Sequence, residues 1–344
     1  MSAVQEVVSE APVPEAPVIE DAIPKKAMAL GPMASLIILA LLIATPLFVK
    51  NFIIFQMTMW LIYAIAVLAL NILTGASGQF SLGQSAFYAL GAYTSAILIE
   101  HGDINYALTL PVSGLICFIA GFLFGLPALR LSGIYLALAT FALATAMPQL
   151  LKLGVFEHWT GGVQGLVVTK PDAPFGLPMS QDMWLYYFTL AVSIMIYIFS
   201  VNLLRSRSGR AMMAIRDNEI AASAMGVDVS LYKTLAFGVS AGITGVAGGL
   251  GAIAVQFVAP DGYTIQLAIA LFLGMVVGGV GWLPGSLAGA AFIVFVPNIA
   301  ESVSKGLSGA VFGVILILII FLVPHGARQI AHGAQGLIGK LRRN

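Results

Sequence analysis

Charge is what this chain has least of. Only 9% of its 344 residues are Asp, Glu, Lys or Arg, where a soluble domain carries about 25%. Hydrophobic residues make up 59% and the mean hydropathy is +0.98. Both argue against a soluble fold and leave apolar sequence for many spans of roughly 20 residues each. The net charge is +1, and no basic block is interleaved with aromatics, so nucleic acid is not an expected partner. Cysteine is nearly absent. Cys117 stands alone in an apolar run, which excludes an internal disulfide and predicts lipid or helix packing around it. The histidines (His101, His158, His325 and His332) lack metal-ligand spacing and read as solvated loop or tail residues. No GxxxxGK[ST] phosphate loop is present, and neither a nucleophile triad nor paired carboxylates can be drawn. Acid is nearly absent from the spans as well. Asp103 and Asp261 fall in short turns and Glu301 at a helix end, whereas an ion-coupled carrier usually buries an acidic residue. The start, MSAVQEVVSEAPVPEAPVIEDAIPKK, is acidic and Pro-rich rather than basic-then-apolar, so no cleavable signal peptide is expected.

What is there is hydropathy in blocks. Residues 1–30 mix Pro12, Pro14, Pro17 and Pro24 with Glu and Val and predict a disordered tail. About ten spans follow, near 34–49, 53–73, 85–100, 107–128, 132–151, 184–204, 234–257, 265–281, 285–299 and 307–323. The expected fold is an all-α polytopic membrane protein, with a permease domain over 31–325 and a basic tail over 326–344. With the N-terminus inside, Lys25, Lys26, Arg130, Arg205, Arg207, Arg210, Arg216, Lys233, Arg328, Lys340, Arg342 and Arg343 fall inside. Only Lys50, Lys152, Lys170 and Lys305 fall outside, and every Arg is inside. Both termini are then cytoplasmic, residues 153–183 form an outer loop and 205–233 an inner one. Five spans plus five make the second half enter the membrane in the opposite sense to the first, which is the arithmetic of an inverted-topology repeat.

Two stretches carry most of the functional signal. In the inner loop, AMMAIRDNEIAASAMG (211–226) alternates at helical period: Met212, Ile215, Ile220 and Met225 are apolar, while Arg216, Asp217, Asn218 and Glu219 are polar. Small Ala221, Ala222 and Ala224 allow another surface to approach closely, and Gly226 is a candidate helix terminator. Periodicity alone favours an ordinary solvated loop helix. GASGQFSLGQSAFYALGAY (75–93) gathers Gly75, Gly78, Gly83 and Gly91 with Ser77, Gln79, Ser81, Gln84 and Ser85. Helix packing explains these glycines, and an exposed polar pathway is the other reading. Gln79 and Gln84 sit less easily with packing, because amides need partners in lipid. Trp159-Thr160-Gly161-Gly162 is too short to specify a site. GMVVGGVGWLPGSLAGAAF (274–292) is too glycine-dense for a regular lipid-facing helix and predicts a tight re-entry between two spans.

These residues meet a known family. The inner loop resembles that of the LivM-type permeases of bacterial high-affinity branched-chain amino-acid ABC transporters. The resemblance rests on Ser208-Gly209-Arg210, Ala214-Ile215-Arg216, Asn218-Glu219, Ala221-Ala222, Gly226-Val227 and Tyr232-Lys233, continued by LAFGVSAGITGVAGGL (235–250). SLGQSAFYALGAYTSA (81–96), WTGGVQGL (159–166) and APDGYTIQLAIALFLGMVVGGVGWLPGSLAGA (259–290) are similar to three further family blocks and come in family order. Together they cover roughly residues 50–325. One departure is Gln84, where many relatives carry His.

The resemblance implies a non-enzymatic importer subunit of the bacterial inner membrane. It would pair with a LivH-like sister permease and receive solute from a periplasmic binding protein. It would bind no cofactor itself, since two partner ABC ATPases use the ATP and Mg. The implied coupling helix lies at about 216–226, with Arg216, Asp217, Asn218, Glu219, Ala221, Ala222 and Gly226 contacting an ATPase. Ser81, Gly83, Gln84, Thr160, Gly161 and Gly162 are the candidates for the translocation pathway. Branched-chain amino acids are the family's common cargo, while urea, amides and aromatic acids use the same permease type. Three other readings stand beside this one: an ion-driven secondary carrier, a passive channel and a membrane scaffold.

Overall fold

The computed structural model describes residues 39–129, 131, 133–173, 179–303, 313–315, 317, 318 and 321. In lipid a helix satisfies its backbone N–H and C=O groups within its own segment, so long apolar runs fold as helices. Among the described residues, 6 helices are long and apolar enough to cross a membrane: Asn51–Ala76, Tyr106–Ala128, Ile134–Leu151, Gln181–Arg205, Val229–Val255 and Pro260–Gly278. Gln84–Glu100 and Gly285–Val303 stand beside them. In chain order the bundle helices are α1 (Asn51–Leu70), α2 (Gln84–Glu100), α3 (Tyr106–Ala128), α4 (Ile134–Leu151) and α5 (Gln181–Arg205). Two loop helices follow, α6 (Arg207–Asp217) and α7 (Glu219–Ala224), then α8 (Val229–Val255), α9 (Ile265–Gly278) and α10 (Gly285–Val303).

Eight of the predicted spans coincide with these bundle helices. The first, 34–49, is described only from residue 39, where a helical stretch over 39–44 runs into the 3-10 turn Thr45–Leu47. The last span, 307–323, lies outside the described residues except for scattered helical positions, as do Arg130, both predicted tails and residues 174–178 of the outer loop. The chain is thus an all-α polytopic membrane fold, with the count of ten resting on those two segments. Boundaries move by up to five residues, as in Val229–Val255 for the predicted 234–257, and the span predicted to end at 73 continues to Ala76 as a π-helical turn over Asn71–Ala76.

Helix α8 is the centre of the bundle. Of its most apolar stretch 83% is buried, against 28% in α3 and in α4. It packs mainly against α3 and α2, and small residues bring the backbones together. A Cβ at Gly91 would lie 2.1 Å from Gly245 O, and one at Gly248 would lie 2.0 Å from Tyr88 O. Cys117 is buried in the same seam, with its Sγ 3.4 Å from Phe87 O. The packing is reciprocal. While α8 packs on α2 and α3, α1 packs on α10 and α9, and α2–α3 and α9–α10 are neighbouring pairs. Because α1 and α8 run in opposite directions, this is the contact pattern an inverted repeat requires.

The loops gather at two ends. At one, β1 (Leu166–Val167) pairs antiparallel with β2 (Phe257–Val258), and Lys152 Nζ lies 2.5 Å from Asp261 Oδ1. His101 and His158 flank Trp159 there, each with ring centroids 5.4 Å from the indole. Arg205, Arg207, Arg210, Arg216 and Lys233 sit at the other, basic end, with α6 and α7. The predicted re-entry is a six-residue turn, 279–284, that returns from α9 to α10 toward the basic end. Those helices touch through glycine, since a Cβ on Gly289 would lie 1.9 Å from Gly274 O.

Candidate functional site

The inner loop is two helices, where the sequence predicts one. Asn218 breaks it with an extended backbone (φ −158°, ψ 106°), and its side-chain oxygen accepts from Ala221 N at 3.0 Å. Short amide side chains compete with the helix for backbone N–H groups in this way and favour the N-cap over the interior. Arg216 and Asp217 therefore end α6, the break falls inside the stretch 216–226, and Glu219, Ala221 and Ala222 lie on α7. Gly226 (φ +82°) terminates it. Val227 N donates to Ala222 O at 3.0 Å and Gly226 N to Ser223 O at 2.9 Å, the paired bonds of a Schellman cap.

Helix α6 is anchored and α7 is presented. Ser206 caps α6 by accepting from Gly209 N, and Met212 and Ile215 are buried. Only Ala222 of α7 is buried, whereas Ile220 is 83% and Met225 86% exposed. These two apolar side chains stand clear of the bundle at the tip of the loop. One ion pair fixes the angle of α7: Lys233 Nζ on α8 donates to Glu219 Oε2 at 2.6 Å. Beneath it the Arg216 guanidinium donates through Nε and Nη2 to Asp217 Oδ1 and through Nη1 to Gly75 O at 2.7 Å.

The pathway candidates fall into two groups at opposite ends. Ser81, Gly83 and Gln84 lie where α2 begins, at the basic end. Ser81 lines a groove of about 280 Å³ with Phe80, Ile134, Ala137 and Phe272, between α4 and α9. Gln84 is enclosed instead. Its Nε2 donates to Ser240 Oγ at 2.8 Å, its Oε1 accepts from Thr244 Oγ1 at 2.7 Å, and Ser240 Oγ donates onward to Ala69 O at 2.7 Å. The amide that sat uneasily with packing is spent on tying α2 to α8 and α1. Gln79 likewise donates to Lys233 O at 3.1 Å and to Ser77 Oγ at 2.6 Å. Thr160, Gly161 and Gly162 lie at the opposite end. Thr160 Oγ1 is 2.9 Å from Leu151 O and accepts from Gly162 N at 3.2 Å, closing the one-turn helix Glu157–Thr160 against the end of α4.

Asn71 is the residue that sequence reasoning missed. Its signal is a lone amide closing an otherwise apolar span, and such groups in a membrane helix face the bundle interior and find partners. It is 1% exposed and holds the 279–284 turn through Gly279 O, Trp282 O and Gly281 N.

Comparison with known proteins agrees with this architecture. The profile of a family described as the permease component of the branched-chain amino acid transport system matches residues 52–320. The chain is similar to the high-affinity branched-chain amino acid transport system permease protein LivM of Salmonella typhimurium, at 31% identity over 84% of this chain and 73% of that protein. Its similarity to LivM of Escherichia coli is the same, 31% over 84% and 73%. A probable branched-chain amino acid transport permease protein LivH of Methanocaldococcus jannaschii is 24% identical over 72% of this chain and 82% of its own. No solved structure matches the chain.

Proposed function

The chain belongs to the family of permease components of branched-chain amino acid transport systems, and from that premise we propose that it is a membrane subunit of an ATP-driven importer of leucine, isoleucine and valine. The observation that carries the reading is α7: a short, doubly capped helix with Ile220 and Met225 exposed at the basic end. A passive channel has no use for such a helix. A chain without a phosphate-binding loop needs energy from outside, and α7 is where ATPase subunits would deliver it.

In this reading the basic end faces the cytoplasm of a bacterial inner membrane, since Lys and Arg are retained on that side. Both termini lie there too. Two ABC ATPases hold ATP and Mg, one docking on α7 here and the other on a LivH-like sister permease. A periplasmic binding protein docks at the opposite end and supplies most of the affinity. Ser81 and Gly83, with Gln84 behind them, mark the inner mouth of the pathway, and Thr160, Gly161 and Gly162 the outer. Nucleotide-driven closure of the ATPases would rock the bundle between its two access states.

The test is uptake of labelled leucine into proteoliposomes holding the permease, its sister subunit and the ATPases. Uptake that needs both ATP and the binding protein is expected. ATPase activity stimulated by loaded binding protein without leucine uptake would move the cargo to urea, amides or aromatic acids. Transport by the permease without ATPases would overturn the reading. Glu219→Arg places a second cation beside Lys233 and is expected to abolish ATPase co-purification from a normally inserted permease.

A further inference from the structure

We infer that Arg216 and Asn71 are positioning residues that relay movement of the docking loop to the glycine turn between α9 and α10. The inference rests on the importer reading and concerns what happens after an ATPase has docked.

The relay begins two residues before the break that creates α7. Arg216 Nη1 donates to Gly75 O at 2.7 Å. That carbonyl lies in the π-helical turn that ends the first long span. The N–H groups that follow are used elsewhere: Gly78 N donates to Thr74 O and Gln79 N to Leu73 O. Carbonyls at a helix end need a donor from outside, and here α6 supplies it. The Arg216 stem also lies flat on Gly78, where a Cβ would be 2.9 Å from Arg216 Cγ.

From Gly75 the contact passes to the turn without any intervening side chain. A Cβ on Gly75 would lie 2.5 Å from Asn71 Oδ1 and 2.6 Å from Gly281 N. Asn71 then holds the turn at three points: Nδ2 to Gly279 O at 3.2 Å, Nδ2 to Trp282 O at 3.1 Å, and Oδ1 from Gly281 N at 2.7 Å. The space left among Asn71, Gly75, Arg216, Gly281 and Leu283 is about 10 Å³, at the threshold of about 10–15 Å³ for one water. Close packing transmits displacement rather than absorbing it.

The turn has somewhere to pass it. Its preceding helix, α9, contributes Phe272 to the groove that Ser81 lines, opposite Ile134 and Ala137 of α4. On the other wall Leu82 N is held by Thr140 Oγ1 of α4 at 2.9 Å. Moving the turn therefore shifts α9 against a wall that stays fixed, and the groove changes width.

The assembled transporter in proteoliposomes tests this, with solute uptake and ATP hydrolysis measured together. Arg216→Gln removes the donor to Gly75. Asn71→Asp removes both Nδ2 donors and keeps the shape. Each is expected to lower solute moved per ATP hydrolysed by at least about fivefold, the lower range of allosteric coupling. The double variant is expected to be no worse than the worse single, because both cut one chain. A purely structural role would lower the amount of complex and leave that ratio alone. Wild-type ratios in assembled variants, or a double whose loss is the product of the two singles, overturn the relay. If Asn71→Asp does not insert, Arg216→Gln decides alone, and an unchanged ratio overturns it. Wild-type transport without ATPases overturns the importer reading and the relay with it. A coupled wild type with equally coupled variants overturns only the relay.

Discussion

Gly91→Ala measures how much of this fold depends on one backbone contact. The added methyl would sit 2.1 Å from Gly245 O, 2.5 Å from Gly245 Cα and 2.6 Å from Gly245 C. All three are backbone atoms, so no rotamer change relieves the clash. Ordinary carbon contacts begin at about 3.5 Å, so α2 and α8 must part by roughly 1 Å. A gap of that size forfeits up to about half of each dispersion contact along the seam. Overpacking costs about 1–3 kcal/mol, and a backbone-to-backbone clash between buried helices belongs at the top of that range. We therefore expect a loss of about 3 kcal/mol, roughly a hundredfold in the folding equilibrium. The assay is unfolding in mixed micelles with rising dodecyl sulfate, followed by circular dichroism. Gly154→Ala is the control, because nothing lies within 4 Å of its Cβ position. It should stay within about 0.5 kcal/mol of wild type. If Gly91→Ala unfolds alongside Gly154→Ala, close approach at Gly91 is not what holds α2 to α8.

The same titration reads Gln84. Gln84→Leu removes two interhelical hydrogen bonds, each about 0.6 kcal/mol in a membrane, and Ser240 keeps Ala69 O as its acceptor. The expected loss is about 1 kcal/mol, and one above about 3 kcal/mol would mean that the amide secures more than the α2–α8 pair. In the loop at the basic end, Asn218→Ala removes the α7 cap at a local cost of about 1 kcal/mol. Hydrogen exchange should then rise over residues 219–226 and stay unchanged over α6. Asn218→Asp, which keeps the cap, should leave exchange as it is, and equal protection in the alanine variant would refute the assignment.

The membrane class, the parity of the helices and the helical character of the charged loop were legible in the sequence, because each depends on local chemistry. Apolar runs of sufficient length become helices wherever the rest of the chain goes. The parity of helices set by Lys and Arg places residues 153–173 and 256–264 at one end and the 206–228 loop at the other, as the β1–β2 pair and the Arg216–Gly75 bond show. Gly226 ends α7 because glycine takes a positive φ without the steric cost a side chain would bring. The break at Asn218 was legible only in part, since the residues on either side keep the helical period and a single side-chain bond decides the matter.

What only the tertiary structure decided is partnership across the chain. The sequence marks Gln84 as an amide in need of partners, and only the fold supplies them, Ser240 and Thr244, more than 150 residues away. The sequence does not say how Ser81 and Thr160 stand to one another, and the fold sets them at opposite ends. Asn71 showed only as an amide at the end of an apolar span, because its three partners sit in a turn about 210 residues downstream. Periodicity and composition report how a segment meets its own neighbours and its solvent. They are silent about which distant carbonyl will stand within hydrogen-bond reach of an amide, and in this bundle such pairs tie the end of the first long span to the turn between α9 and α10.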